Sequence, residues 1–125
     1  MRVDVLGTTY NIEVKSPGED MLLRDADGYC DPTVKQCVIS SFEEEMGLPG
    51  CKKNLWVHQE KVIRHELVHA FLYESGLSEN SWAGNEEIVD WIAAQFPKLD
   101  GAFVAAMEGL EQEERQRHEG ELFGR

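Results

Sequence analysis

Apolar and polar positions alternate with a period of two along "RVDVLG" and "TYNIEVK", the pattern of strands that bury one face. Gly7-Thr8-Thr9 between them predicts the turn of an antiparallel hairpin. After the Pro/Gly loop "SPGED" and a short apolar run from Met21 to Leu23, "DADGYCDPTVKQCVIS" predicts a second hairpin. Its arms are Gly28-Tyr29-Cys30 and Gln36 to Ser40, and Asp31-Pro32 starts its turn. "FEEEMGLPGCKKN" is polar and bears Gly and Pro, so it reads as a connection or a short helical turn ended at Gly47.

From about Val57 to Ser75 the period becomes helical, and Val62, Ile63, Leu67, Val68, Ala70, Phe71 and Leu72 cover most of the circumference, as in a helix central to a fold. Gly76 stands where a left-handed C-terminal cap is expected. Ser78 or Ser81 is a candidate cap for a second helix running to about Phe96, with Ile88, Ile92 and Phe96 as its core stripe. Pro97 either stops it or begins the next. A third helix, roughly Leu99 to His118, is apolar at Phe103, Val104, Met107 and Leu110 and then strongly charged. The expected fold is α+β: a small antiparallel sheet of two N-terminal hairpins packed on an active-site helix, a glutamate-bearing helix and a C-terminal helix. All of it forms one domain over 1–125, with 1–56 mainly sheet and loop, 57–118 helical and 119–125 a fraying tail.

Composition narrows the function. Twenty-four acidic against 12 basic residues give a net charge of -12, which repels phosphate backbones and argues against nucleic-acid binding. No apolar run reaches the roughly 18 residues of a membrane span, and "MRVDVLG" lacks the profile of a signal peptide, so a soluble, cytoplasmic protein is expected. Cys30, Cys37 and Cys51 form neither a CxxC pair nor an even set, which points to reduced thiols rather than a disulfide framework.

One stretch contradicts its own apolar character. "VIRHELVHAFLYESGL" places His65, Glu66 and His69 inside the central helix, where polar side chains are costly unless something binds them. His65 and His69, four apart, project from one face and can grip one ion, with Glu66 beside them. This is the HExxH pattern of a helical zinc site, in which the glutamate serves as general base. A catalytic zinc needs a third protein ligand, and "NEEIVD" supplies candidates. Glu86 and Asp90 share a helical face one turn apart. With Ile88 facing the core, Glu86 lies about 200° and Glu87 about 100° around the helix from it, so periodicity leaves both open as ligand.

HExxH followed by NExxxD, here His65-Glu66-Leu67-Val68-His69 and Asn85-Glu86-Glu87-Ile88-Val89-Asp90, resembles the gluzincin zinc metallopeptidases, the thermolysin-like group. In size and element order the chain also resembles the minigluzincins and the small HExxH proteins encoded by phages and mobile elements. The resemblance implies Zn2+ as cofactor, Glu86 as third ligand, Asp90 as the carboxylate that holds the ring of His65, and a bacterial cytoplasm as location. The substrate-binding and oxyanion residues of the larger enzymes have no counterpart by motif.

The expected chemistry is hydrolysis of a peptide bond in a protein or peptide substrate. Zinc lowers the pKa of a bound water towards ~7, and Glu66 takes its proton and passes it to the leaving amine. Tyr73, one turn beyond His69, is a candidate oxyanion donor; His58, Tyr29 and His118 are weaker ones. An extended substrate is expected to add to an exposed strand edge, with "KQCVIS" the candidate. The alternatives are a zinc hydrolase or amidase acting on a non-peptide or cell-wall substrate, and a non-catalytic zinc-stabilised binding module.

Overall fold

The computed structural model describes residues 1–122, and side chains up to residue 120. Strands β1 (Arg2–Val5), β2 (Thr8–Lys15), β3 (Gly28–Asp31) and β4 (Gln36–Ser40) precede two α-helices, α1 (Leu55–Glu74) and α2 (Glu86–Leu122), with 3-10 turns at Met21–Arg24 and Glu43–Glu45. The chain is α+β and divides into two compact units, Met1–Ala94 and the remainder from Gln95 on.

Both hairpins form. In the first, Val5 pairs with Thr8, and Leu6 and Gly7 both take positive φ, 51° and 90°. That is the two-residue turn whose twist matches the strands. The bend is therefore Leu6-Gly7, and Thr8 and Thr9 already belong to β2. In the second, β3 and β4 are antiparallel, with Cys30 opposite Cys37.

The sheet is not the purely antiparallel one expected. Its order is β1-β2-β4-β3, and β4 runs parallel to β2, from Asn11 opposite Gln36 to Lys15 opposite Ser40. β4 is therefore central, which removes "KQCVIS" as the edge for a substrate. The physical reason lies in its composition: Cys37, Val38, Ile39 and Ser40 are all buried, and a strand buried on both faces belongs inside a sheet. The half-buried β3 takes the edge.

Helix α1 lies on this sheet. Asn54 caps it by accepting from the backbone N–H of Val57 at 3.1 Å, and Gly76 (φ 79°) ends it. There Leu77 N–H donates to the Leu72 carbonyl and Gly76 N–H to that of Tyr73, the paired bonds of a left-handed C-cap. Val62 and Ala70 join Val5, Tyr10, Ile12, Cys37, Ile39 and Phe42 in the main core. Leu72 packs instead with Ala83 and Val89, which seats the start of α2 beside α1.

Two helices stand where three were expected, because Pro97 lies inside α2. Proline cannot donate to the carbonyl four residues back and normally breaks a helix there. Here Arg64 Nε donates to that carbonyl, Ala93 O, at 2.6 Å, replacing the missing partner. Neither Ser78 nor Ser81 is the cap; Asn85 Oδ1 accepts from Ile88 N–H at 3.0 Å. Residues 119–122, expected to fray, are helical, and 123–125 lie outside the described residues. Among the described residues no helix is long and apolar enough to cross a membrane.

Candidate metal centre

The central helix sorts its side chains by face. Val62, Glu66 and Ala70, four apart, are all buried on the side that meets the sheet, where Cys37 Sγ lies 3.8 Å from the Glu66 carbonyl oxygen. His65 and His69 project from the neighbouring face, their rings 5.0 Å apart and edge to face. Ligand atoms of His65, Glu66 and His69 lie within 4.8 Å of one another, an arrangement able to hold a metal ion.

The start of α2 brings a second carboxylate beside the cluster. Glu86 Oε2 is 2.8 Å from His65 Nε2 and Glu86 Oε1 is 3.3 Å from His69 Nε2, so one carboxylate spans both imidazoles. Asn85, by capping the helix, fixes the turn that carries it. Asp90 Oδ1 stands 3.3 Å from His65 Nδ1 and Asp90 Oδ2 3.2 Å from Lys61 Nζ. Burial acts to raise the Asp90 carboxyl, but the Lys61 ammonium and the His65 ring outweigh it and hold the group below its usual range. A carboxylate on the far nitrogen of a ligating histidine fixes the ring and the tautomer. Glu87 makes none of these contacts among the described residues.

Burial pushes the Glu66 carboxyl up to about 7; His65 opposes the shift and Glu86 adds to it. Such a group is poised to accept or give a proton near neutral pH. Two imidazoles lie close to the Glu86 carboxylate, with Asp90 behind one ring and the buried Glu66 alongside, nitrogen and oxygen donors of the kind a divalent metal accepts. The donor set fits the metal.

Comparison of the chain with protein-family models, with curated proteins and with solved structures finds no match. The centre is thus read from its own residues and from its motif.

A cleft of about 450 Å³ opens over it, with Gly28, Tyr29, Cys30 and Pro32 on the β3 side. Tyr73 and Ser78 also line it. Tyr73 sits on the wall, with the Lys35 ammonium 4.8 Å from its ring centroid. The Tyr29 hydroxyl is taken by Asp20. His58 pairs with Asp27 at 2.8 Å, packs edge-on against Phe42, and lines a second cleft with Lys61 and Asp90. His118 belongs to the second unit.

Glu74 is not among the residues that the motifs single out. It accepts from Lys35 Nζ at 2.7 Å, Tyr10 Oη at 2.8 Å and Thr8 Oγ1 at 3.3 Å, tying the last turn of α1 to β2. Its spacing of eight from Glu66, on the same helical face, was the available signal. Lys35 first, then Tyr10, hold its carboxyl below the usual range. A lowered folded-state value stabilises the protein fully above the unfolded value of about 4.3, and that contribution is lost as pH falls through the folded one. Acid titration of the unfolding midpoint should therefore be shallower below about pH 4 in Glu74→Gln than in wild type; equal slopes would show that the network is not linked to folding.

Proposed function

We propose that the chain is a small zinc metallopeptidase of the gluzincin kind, hydrolysing a peptide bond in a protein or peptide substrate. The observation that carries this reading is the Glu86 carboxylate lying against both Nε2 atoms, 2.8 Å from His65 and 3.3 Å from His69. His65, His69 and Glu86 would hold the ion. Bound there, zinc supplies Lewis acidity that acidifies water and polarises a scissile carbonyl.

The chain's own side chains do the rest. Asp90 keeps the ring of His65 in one orientation through Nδ1. Glu66 accepts a proton from the attacking water on its carboxylate and delivers it to the leaving amine. Tyr73, on the wall of the cleft, is the proposed hydroxyl donor to the oxygen that gains charge. The free edge of β3 offers backbone groups to which an extended peptide can add as a further strand, beside Glu66 and His65. That replaces the expected binding edge on β4.

Elemental analysis tests the reading. Wild type dialysed against zinc and then buffer should retain one zinc per chain, and Glu86→Ala should bind it at least 10-fold more weakly, with Asp90→Asn in the 10- to 100-fold range. Wild-type protein that retains no zinc would overturn the assignment.

A further inference from the structure

From Phe96 to Glu119 every residue of α2 is exposed, and most of its large apolar side chains fall on one stripe, with Val104 and Met107 beside it. Phe96, Leu99, Phe103, Ala106 and Leu110 follow spacings of three, four, three and four, the a and d positions of a heptad repeat. Phe96 is 55% exposed, Leu99 51%, Phe103 63% and Leu110 52%. Glu113, at the next d position, ends the stripe. Gly101 and Gly109 each cost a helix about 1 kcal/mol against alanine, so this segment is a weak helix when nothing covers it.

We propose that this stripe is a self-association surface, and that its occupant is the same stripe of a second copy, packed as a short parallel two-helix coiled coil. The three-four alternation, over two heptads, favours a helix as partner, because a second helix of the same repeat offers matching holes along the seam. The charges choose the orientation. The e positions carry Asp100, Met107 and Glu114, and the g positions that face them Gln95, Ala102 and Gly109. In a parallel pair e flanks g, so each acidic residue meets a neutral one. An antiparallel pair sets e against e and brings Asp100 towards Glu114 of the other copy, at a repulsive cost.

The area is that of a small, reversible dimer. A fully exposed large side chain offers about 200 Å², so the four large seam residues present roughly 450 Å² per chain and about 900 Å² in the pair before flanking groups are counted. That is close to the ~1,000 Å² at which specific interfaces begin. The net charge of -12 on each copy opposes association, so added salt, which screens it, strengthens the dimer.

Sedimentation equilibrium of the full chain tests this. Over 1 to 200 µM the average mass should rise from 14.2 kDa towards twice that value, and the rise should begin at lower protein concentration in 0.5 M salt than in 0.05 M. Phe103→Glu should stay monomeric throughout, and because Phe103 is exposed the variant should retain its zinc. For the orientation, Ala106→Cys in a glutathione buffer should give a covalent dimer whose bridge maps to the two introduced thiols. A wild-type chain that is monomeric at 200 µM overturns the proposal, as does self-association unaffected by Phe103→Glu. A dimer that fails to cross-link through position 106 overturns the parallel arrangement.

Discussion

Exchange of Glu66 for glutamine should lower peptide hydrolysis by a factor of about 10²–10⁴ while zinc content stays at the wild-type level. Glutamine has nearly the same shape, so it fits between Val62 and Ala70 on the face of α1 that meets the sheet, where Glu66 is 7% exposed. What it lacks is an oxygen able to accept a proton and give it back. The same substitution removes a carboxyl that burial pushes up to about 7, so the thermal midpoint should hold or rise, since an amide is cheaper to bury than a carboxylate. Turnover of a fluorogenic peptide library, read beside elemental analysis and thermal unfolding of the same samples, separates the outcomes. Wild-type turnover with zinc retained would remove Glu66 from the chemistry, and unchanged metal with no turnover in either protein would favour a zinc-stabilised binding module.

The parts of the fold legible in the sequence are those governed by local rules. The alternation along "TYNIEVK", the turn at Asp31-Pro32, the helical period of α1 and the glycine at 76 each follow from residues within a few positions of one another, although Phe71 of α1 is exposed. The HExxH spacing is equally local, and His65, Glu66 and His69 do meet. The errors arose where distant residues decide. The order of strands within the sheet depends on which is buried on both faces, and the run Cys37 to Ser40 carried that signal, read instead as one arm of an edge hairpin. Pro97 predicts a helix boundary, as a stop or a new start, because its compensation, Arg64 reaching Ala93 O, comes from a residue 33 positions earlier. Asn85, followed by two acidic residues, carries a sequence signature for a helix start, and it caps α2 in place of Ser78 or Ser81. Periodicity does not choose between Glu86 and Glu87, and its core stripe is misplaced: Ile88 and Phe96 are exposed while Val89 and Ala93 are buried; Glu86 is the one that lies against both imidazoles.

Gly28→Ala should destabilise the protein by about 1–3 kcal/mol and lower activity without altering any proposed ligand. Gly28 begins the edge strand, opposite Ile39, and a Cβ there would meet Val62 Cγ1 at 2.9 Å, the Val38 carbonyl oxygen at 3.0 Å and Ile39 Cδ1 at 3.2 Å. The obstacle is space, since its backbone is not among the positive-φ positions. The Ile39 methyl can turn aside, but the Val38 oxygen is backbone of β4 and Val62 is held on α1, so relief requires β3 to shift away from both. Val62 precedes Glu66 by one turn, and Gly28 lines the cleft with Glu66 and His65, so the displaced strand is the one proposed to receive the substrate. The urea midpoint should fall with an unchanged m-value, zinc should remain bound, and KM for an extended peptide should rise more than kcat falls. Combining it with Val62→Ala, which deletes the nearest clashing atom, should cost less than the sum of the two single changes, because the residues touch. A Gly28→Ala protein within 0.5 kcal/mol of wild type would mean that β3 does not lie as close to α1 as the fold requires, and the binding edge proposed on it would lose its footing.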